Sequence, residues 1–338
     1  MFKKKIALLM SGLVVLSSAL TGCATTEESG DKPLVLRVAH VQGDDHPQHL
    51  AMVEFEKYVE ANTDGKIDIQ IFPNELLGPQ RQSIELAQTG AVDIVVASVG
   101  LLESFESRYT VFNLPYLFDD RDHFFDVMGD DSITGPIYEA TKQSGFVGLT
   151  WFDAGTRNMY TVDKPVLTPD DMKGLKIRVQ QSPVNLALIE ALGGAPTPMS
   201  FGEVYTALQQ SVIDGAENNE LALINNKHGE VTKYYSYTQH GIIPDIVIMS
   251  SKSLERLTEE QRKVVYEAAE IANKFEVEEW AKTTATAKDQ AMEMGVEFNE
   301  VDLALFQEKV LPVHDKFLTT PELKDIYEQI RAKSKSAE

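Results

Sequence analysis

The chain has 338 residues, of which 43% are hydrophobic and 25% charged, a composition that fits a globular protein with ordinary apolar cores. Its 31 Lys and Arg stand against 52 Asp and Glu, a formal charge of −21, so no basic stripe exists to displace phosphate counterions and nucleic acid is excluded as a partner. A small anionic ligand is not excluded, because exposed charges are screened within about 8–10 Å and a local arginine can dominate an enclosed cleft.

At the amino end, Lys3, Lys4 and Lys5 precede a mostly apolar run from Ile6 to Leu20. That run is short for a membrane span and has the length of a signal-peptide core. It ends in Leu20-Thr21-Gly22-Cys23, which resembles the lipobox of bacterial lipoproteins. The resemblance implies a signal peptide over residues 1–22, cleavage before Cys23 and lipid attachment to its thiol. Cys23 is the only cysteine, so the mature chain forms no internal disulfide and its stability rests on its core. Residues 23–33 read as the lipidated residue and a polar tether. Membrane lipid is therefore an expected partner, and the expected address is extracytoplasmic and lipid-anchored.

Two lobes are expected of the remainder, which exceeds one ordinary core. Leu34 to Ala39 alternates as a strand, and His46-Pro47 opens a helix with Ala51, Phe55, Tyr58 and Val59 on one face. Ile67, Ile69 and Ile71 mark a second strand, closed by Pro73. A helix from Gln80 to Thr89 stops at Gly90, and Val92 to Ala97 is apolar enough for a strand buried on both faces. This alternation predicts a doubly wound α/β lobe.

The second half repeats the pattern. Phe146 to Phe152 and Leu175 to Val179 read as strands, and Pro183 to Leu192 as a helix ended by Gly193-Gly194. Ser200-Phe201-Gly202-Glu203 forms a capping box for a helix reaching about Val212, and Ile242 to Met249 is another buried strand. Thr258-Glu259-Glu260-Gln261 is a second capping box, with no Gly or Pro from there to Gly295. A helix of that length spans about 54 Å, wider than one small lobe, so it is expected to run across both.

Enzyme motifs are missing from the sequence. There is no Gly-x-Ser-x-Gly elbow, no phosphate-binding glycine loop and no cysteine nucleophile beyond Cys23, so neither a cofactor nor catalysis is expected. His46 and His49 sit three apart at a helix start, but no third metal ligand lies nearby, and no metal is expected. The informative residues are Arg157, after a buried strand; Arg178, at the end of another; and Asn218, in Asp214-Gly215-Ala216-Glu217-Asn218-Asn219. An arginine at a strand end faces the crevice where α/β folds bind ligands, and its fork suits a carboxylate. On spacing alone, such arginines read better as surface residues paired to some of the many acids.

Three segments shift that balance. They are Gly174-Leu175-Lys176-Ile177-Arg178-Val179, the run from Gly193 to Gln209 (GGAPTPMSFGEVYTALQ), and Val212-Ile213-Asp214-Gly215-Ala216-Glu217-Asn218. With Phe72-Pro73, Leu77-Gly78 and Gly90-Ala91-Val92-Asp93, they resemble the solute receptors of tripartite ATP-independent periplasmic (TRAP) transporters, of the dicarboxylate-receptor (DctP) type. The resemblance covers essentially the whole mature chain. It implies a two-lobed periplasmic-binding-protein-like α/β fold that closes on its ligand, with the long helix spanning both lobes. Lobe I would be 34–154 plus 244–283, and lobe II 155–243 plus 284–333.

By the same resemblance, Arg178 grips a ligand carboxylate, Arg157 makes a second contact, Asn218 adds a hydrogen bond and Phe201 packs on the ligand. Gln80 and Ser98 stand where some members place acidic residues, a departure that argues against sialic acid. His46 matches a position near the first-lobe edge of the cleft. Trp151, at a strand end beside Arg157, either lines the cleft or fills the core, Phe201 suits a core position as well, and Asn218 suits a cap for a helix starting near Glu220. The implied partners are a small carboxylate and a two-part membrane permease. Asn218, Asn219 and Gln80 point to a sugar acid such as glucuronate or galacturonate, with C4-dicarboxylates as the alternative. The rival reading is a receptor for an ABC importer of a sugar or amino acid.

Overall fold

A computed structural model describes residues 32–334. The signal segment, Cys23 and the tether up to residue 31 lie outside the described residues. Nine strands are described: β1 (Leu34–Ala39), β2 (Ile67–Phe72), β3 (Ile94–Ser98), β4 (Phe146–Thr161), β5 (Lys176–Val179), β6 (Ala195–Pro198), β7 (Gly215–Asn218), β8 (Tyr234–Ser250) and β9 (Glu297–Asn299). They form one sheet in the order β2-β1-β3-β8-β4-β7-β5-β6, with β9 paired to β8.

That order contains the same device twice. β1 lies between β2 and β3, all parallel, and β5 lies between β6 and β7, also parallel. Each half is thus a small doubly wound sheet whose strand order reverses beside its first strand. Between them run β4 and β8, antiparallel and paired from Phe146–Ser250 to Thr161–Tyr234. β3 pairs with one end of β8, from Ile94–Met249 to Ser98–Asp245, while β7 pairs with the far end of β4, from Asn158–Asn218 to Thr161–Gly215. The sequence pattern ends strands at Phe152 and begins one at Ile242, but both strands continue well beyond those points. Gly155 explains the first difference: at φ 68° it forms part of an irregularity between Asp153 and Thr156, where the register against β8 shifts and the strand resumes. β6 reads Ala-Pro-Thr-Pro, and its prolines are tolerated because it is the last strand of the sheet.

Helix starts follow the residues that make them. Thr258 accepts from the Gln261 N–H at 3.2 Å while Gln261 accepts from the Thr258 N–H at 3.0 Å, opening the helix Glu259–Glu293. The capping box at Ser200 opens a 3₁₀ turn, Phe201–Glu203, and then Val204–Gln209, a shorter helix than the pattern to Val212 suggests. The long helix has 35 residues, about 52 Å. Val265, Ala268, Ala269 and Ala272 pack with Phe55 and Val59 of the helix Pro47–Asn62 and with β1 and β3. Further along, Ala291 packs with Tyr160, Ala216 and Tyr235 in the other half. Alanines let the helix lie close to its neighbours while apolar area is buried on both sides. No helix among the described residues is long and apolar enough to cross a membrane.

Candidate functional site

The carboxyl ends of β1, β3, β5 and β7 converge on one cavity. Val41 and Gln42 follow β1, Ser98 ends β3, Gln180 and Gln181 follow β5, and Asn218 and Asn219 close β7, and all seven line it. It holds about 680 Å³ of empty space, part of which opens to solvent. Both strand-order reversals therefore face the same cavity, the place where α/β sheets bind ligands.

Arg178 is the penultimate residue of β5 and is 3% exposed. Its Nε and Nη2 donate to the Met199 carbonyl at 3.2 and 3.0 Å, and the guanidinium lies over the Phe201 ring, 5.6 Å from its centroid. Among the described residues no carboxylate reaches it within ion-pair distance. Burial accordingly lowers its pKa, with Glu217 and Glu75 opposing the shift from further away. Among the described residues no hydrogen bond is made by its Nη1, and Arg178 lines the cavity. An arginine, always charged and almost fully buried, is thus left with donor capacity facing empty space.

Arg157 is built differently. Its Nη2 donates to Glu217 Oε1 at 2.8 Å and its Nε to Glu217 Oε2 at 2.5 Å, a two-point pair between buried groups. Nη1 donates to Asn218 Oδ1 at 3.0 Å. Burial works to push the Glu217 carboxyl up, but Arg157 and then His240, 3.3 Å away, hold it down at about 2. Asn218 Oδ1 also accepts from the Asn219 N–H at 2.9 Å, so its acceptor side is turned to protein. Asn219, not Asn218, serves the next helix, its Oδ1 accepting from the Leu221 N–H at 2.9 Å.

The sequence-derived residues divide cleanly. Arg178, Arg157, Asn218, Phe201, Gln80 and Ser98 line this one cavity, although they come from six separate stretches of chain. Gln80 fastens the first half: its Nε2 donates to the Val96 carbonyl at 2.9 Å and its Oε1 accepts from the Ser98 N–H at 3.3 Å. Trp151 and His46 are elsewhere. Trp151 packs edge-on against Phe124 at 5.3 Å in the apolar core. His46 caps the helix Pro47–Asn62, accepting from the Gln48 N–H at 3.2 Å, with its ring against Trp280. His40 and His49 are 3.1 Å apart, but among the described residues no three His, Cys, Asp or Glu gather as a metal site.

The sequence reading does not single out Gln48, Gln180, Gln181, Asp245 or Trp280, which also line the cavity. A signal for two of them is present: Gln180-Gln181 directly follows the Arg178 strand. Asp245 interrupts an otherwise apolar run on β8, where a charge has no place unless it serves one. It is 6% exposed, and its Oδ2 accepts from Gln48 Nε2 at 2.9 Å.

Comparison with known proteins agrees with this geometry. A family model described as bacterial extracellular solute-binding protein, family 7 (DctP) matches residues 38–320. The Salmonella typhimurium protein YiiZ, itself uncharacterized, is 41% identical over 298 residues, covering 88% of this chain and 91% of its own. The C4-dicarboxylate-binding periplasmic protein DctP of Rhodobacter capsulatus is 31% identical over 321 residues, 94% of each chain. A TRAP periplasmic solute-binding protein of Anaerococcus prevotii, solved with bound α/β-D-glucuronate, superposes with a TM-score of 0.88 at 48% identity, over 90% of this chain and 99% of its own. One from Sulfitobacter, solved with β-D-galacturonate, gives 0.85 at 34% identity over 88% and 99%. With a two-lobed α/β fold, one cavity at the strand ends and a match over most of its length, the chain belongs to the DctP family of extracellular solute-binding proteins, the small-organic-acid receptors of TRAP transport.

Proposed function

We propose that this receptor captures a hexuronate, or a sugar acid of similar size, and hands it to a TRAP membrane permease. The observation that carries the reading is Arg178, a buried guanidinium without an anionic partner whose remaining donor capacity faces the cavity. A ligand carboxylate completes it with charge-assisted hydrogen bonds, which strengthen as closure expels water. Arg157, pinned and neutralised by Glu217, fixes the Asn218 side chain beside it. Phe201 offers a ring face to the sugar, and Gln80 and Ser98 border the opposite wall. The bound uronates of the Anaerococcus and Sulfitobacter relatives support this substrate class, the first at 48% identity.

Nothing in this arrangement calls for catalysis: the chain binds and releases its ligand unchanged. Lobe I comprises 34–154 with 244–283 and lobe II 155–243 with 284–333. The division is supported by the two parallel half-sheets on either side of β4 and β8, which act as the hinge strands. Export by the 1–22 signal and lipidation at Cys23 tether the receptor beside its permease, which raises the effective concentration of the pair without new contacts.

A thermal-shift screen with D-glucuronate and D-galacturonate, against D-glucose and D-galactose as neutral controls, tests the reading. A micromolar ligand at millimolar dose stabilises by about 4 kcal/mol, roughly 6 °C for a chain of this length at about 2.1 cal/mol/K per residue. A shift with an acid and none with its neutral sugar is the expected result. A shift with a neutral sugar alone would move the protein to the ABC-importer reading.

A further inference from the structure

The cavity is also lined by an acidic side chain that has no ion-pair partner among the described residues. Asp245 lies on β8 where that strand pairs with both neighbours, opposite Ser98 of β3 and Phe152 of β4, so its side chain is fixed by register on two sides. It lines the cavity and is 6% exposed. Its hydrogen-bond partner is a neutral donor, Gln48 Nε2 at 2.9 Å, and the Ser98 hydroxyl beside it donates to Gln180 Oε1 at 3.3 Å; burial raises the Asp245 pKa, with Gln48, Arg157 and Ser98 opposing the shift. Three other buried carboxylates are paired with cations, Asp153 with Arg121, Asp93 with Arg256 and Glu217 with Arg157, whereas Glu103 and Glu276 also have only neutral donors but lie outside the cavity lining. Among the described residues no Lys, Arg or His reaches Asp245 within ion-pair distance. Arg157 acts on it only from further off, with its fork already taken by Glu217.

When ionised, a carboxylate accepts about four hydrogen bonds, and Gln48 supplies one of them. The remaining capacity belongs to the cavity, where a ligand O–H is the natural donor. Arg178 and Asp245 thus make a bipolar site, one pole for an anion and one for hydroxyl donors. The geometry points to Asp245 as the residue that reads the ligand's hydroxyl groups and excludes a second carboxylate, which makes the receptor selective for polyhydroxy monocarboxylates over dicarboxylates. A dicarboxylate anchored on Arg178 would bring its other anion into an enclosed space already holding Asp245, and like charges in such a space repel strongly. The inference rests on the proposed function and narrows it to one branch of the organic acids.

Calorimetric titration of the purified receptor with D-glucuronate and with D-glucarate, whose carbon chain carries a carboxylate at each end, separates the two claims. The wild type is expected to bind glucuronate at least 100-fold more tightly than glucarate. Asp245→Asn keeps the shape, removes the charge and adds a donor. It should weaken glucuronate about tenfold and tighten glucarate at least tenfold relative to wild type. A residue that merely holds the wall together would weaken both, and a variant whose glucuronate-to-glucarate ratio stays within threefold of wild type overturns the inference while the proposed function stands. A wild type that binds neither acid overturns both.

Discussion

Arg157 and Arg178 are nearly equally buried, yet their surroundings divide structural from ligand-facing duty. Glu217 satisfies Arg157 at two points, and removing that partner would strand a buried charge at a cost of about 3–5 kcal/mol. Arg178 bears such a burden already, softened by the Met199 carbonyl and the Phe201 ring. A buried cation held by a carbonyl and a ring is poised for an anion that arrives and leaves. The histidines of the molecule carry a separate consequence. Burial pushes His40, His46 and His228 down to about 3, so each is neutral when folded and titrates near 6.5 when unfolded. The unfolded chain therefore binds more protons below pH 6.5, and this contribution to stability, full above 6.5, is lost as pH falls towards 3. Each such histidine loses about 1.4 kcal/mol per pH unit in that window. Urea unfolding at pH 6 and pH 5 should show a steeper loss in the wild type than in His40→Gln, by about that amount, and identical slopes would contradict the buried neutral imidazole.

At the scale of elements, the bend in β4 is the sensitive point. Gly155 combines φ 68° with close quarters: a Cβ there would sit 2.8 Å from Asn219 Cβ and 2.9 Å from Trp280 Cζ2. Gly155→Ala should destabilise by about 2–4 kcal/mol, adding left-handed strain to overpacking, as measured by denaturant unfolding. A loss below about 0.5 kcal/mol would mean that the bend relaxes freely. The same glycine shows why the sequence divides strands where the structure does not. A Gly after an apolar run reads as a terminator, and only pairing with β8 reveals that the strand resumes. β6 is hidden for a related reason, since two prolines in four residues deny a strand that an edge position permits. By contrast, the long helix is plain in the chain itself. Its capping box and freedom from Gly and Pro are local properties, and only its burial of Glu276 among the alanines was beyond periodicity to foresee. Glu276 accepts from the Asp153 N–H at 2.9 Å, and burial, with Asp153 nearby, raises its pKa well above the usual range.

Over the whole molecule, the two half-sheets share β4 and β8, and the long helix packs on cores in both. Motion between the halves must therefore pass through a few irregular residues near 153–158 and through the helix. The location of the cavity was legible in advance because strand ends gather at one edge of an α/β sheet, which is why Arg178, Asn218 and Ser98 meet there, whereas Arg157 reaches it from within β4, beside the bend. Pairings across long separations were not legible, as with Arg157 and Glu217, 60 residues apart, or Gln48 and Asp245, 197 apart. Trp151 and His46 lie close in sequence to cavity residues and still turn into the protein, a choice made by packing that one chain's pattern does not record. The central claim is that a buried guanidinium awaiting an anion anchors the ligand. Titration of D-glucuronate into wild type, Arg178→Ala and Arg178→Lys tests it most directly. Micromolar binding by the wild type is expected, with at least a 100-fold loss in Arg178→Ala and little recovery in Arg178→Lys, whose point charge lacks the fork. Wild-type affinity in Arg178→Ala would contradict it.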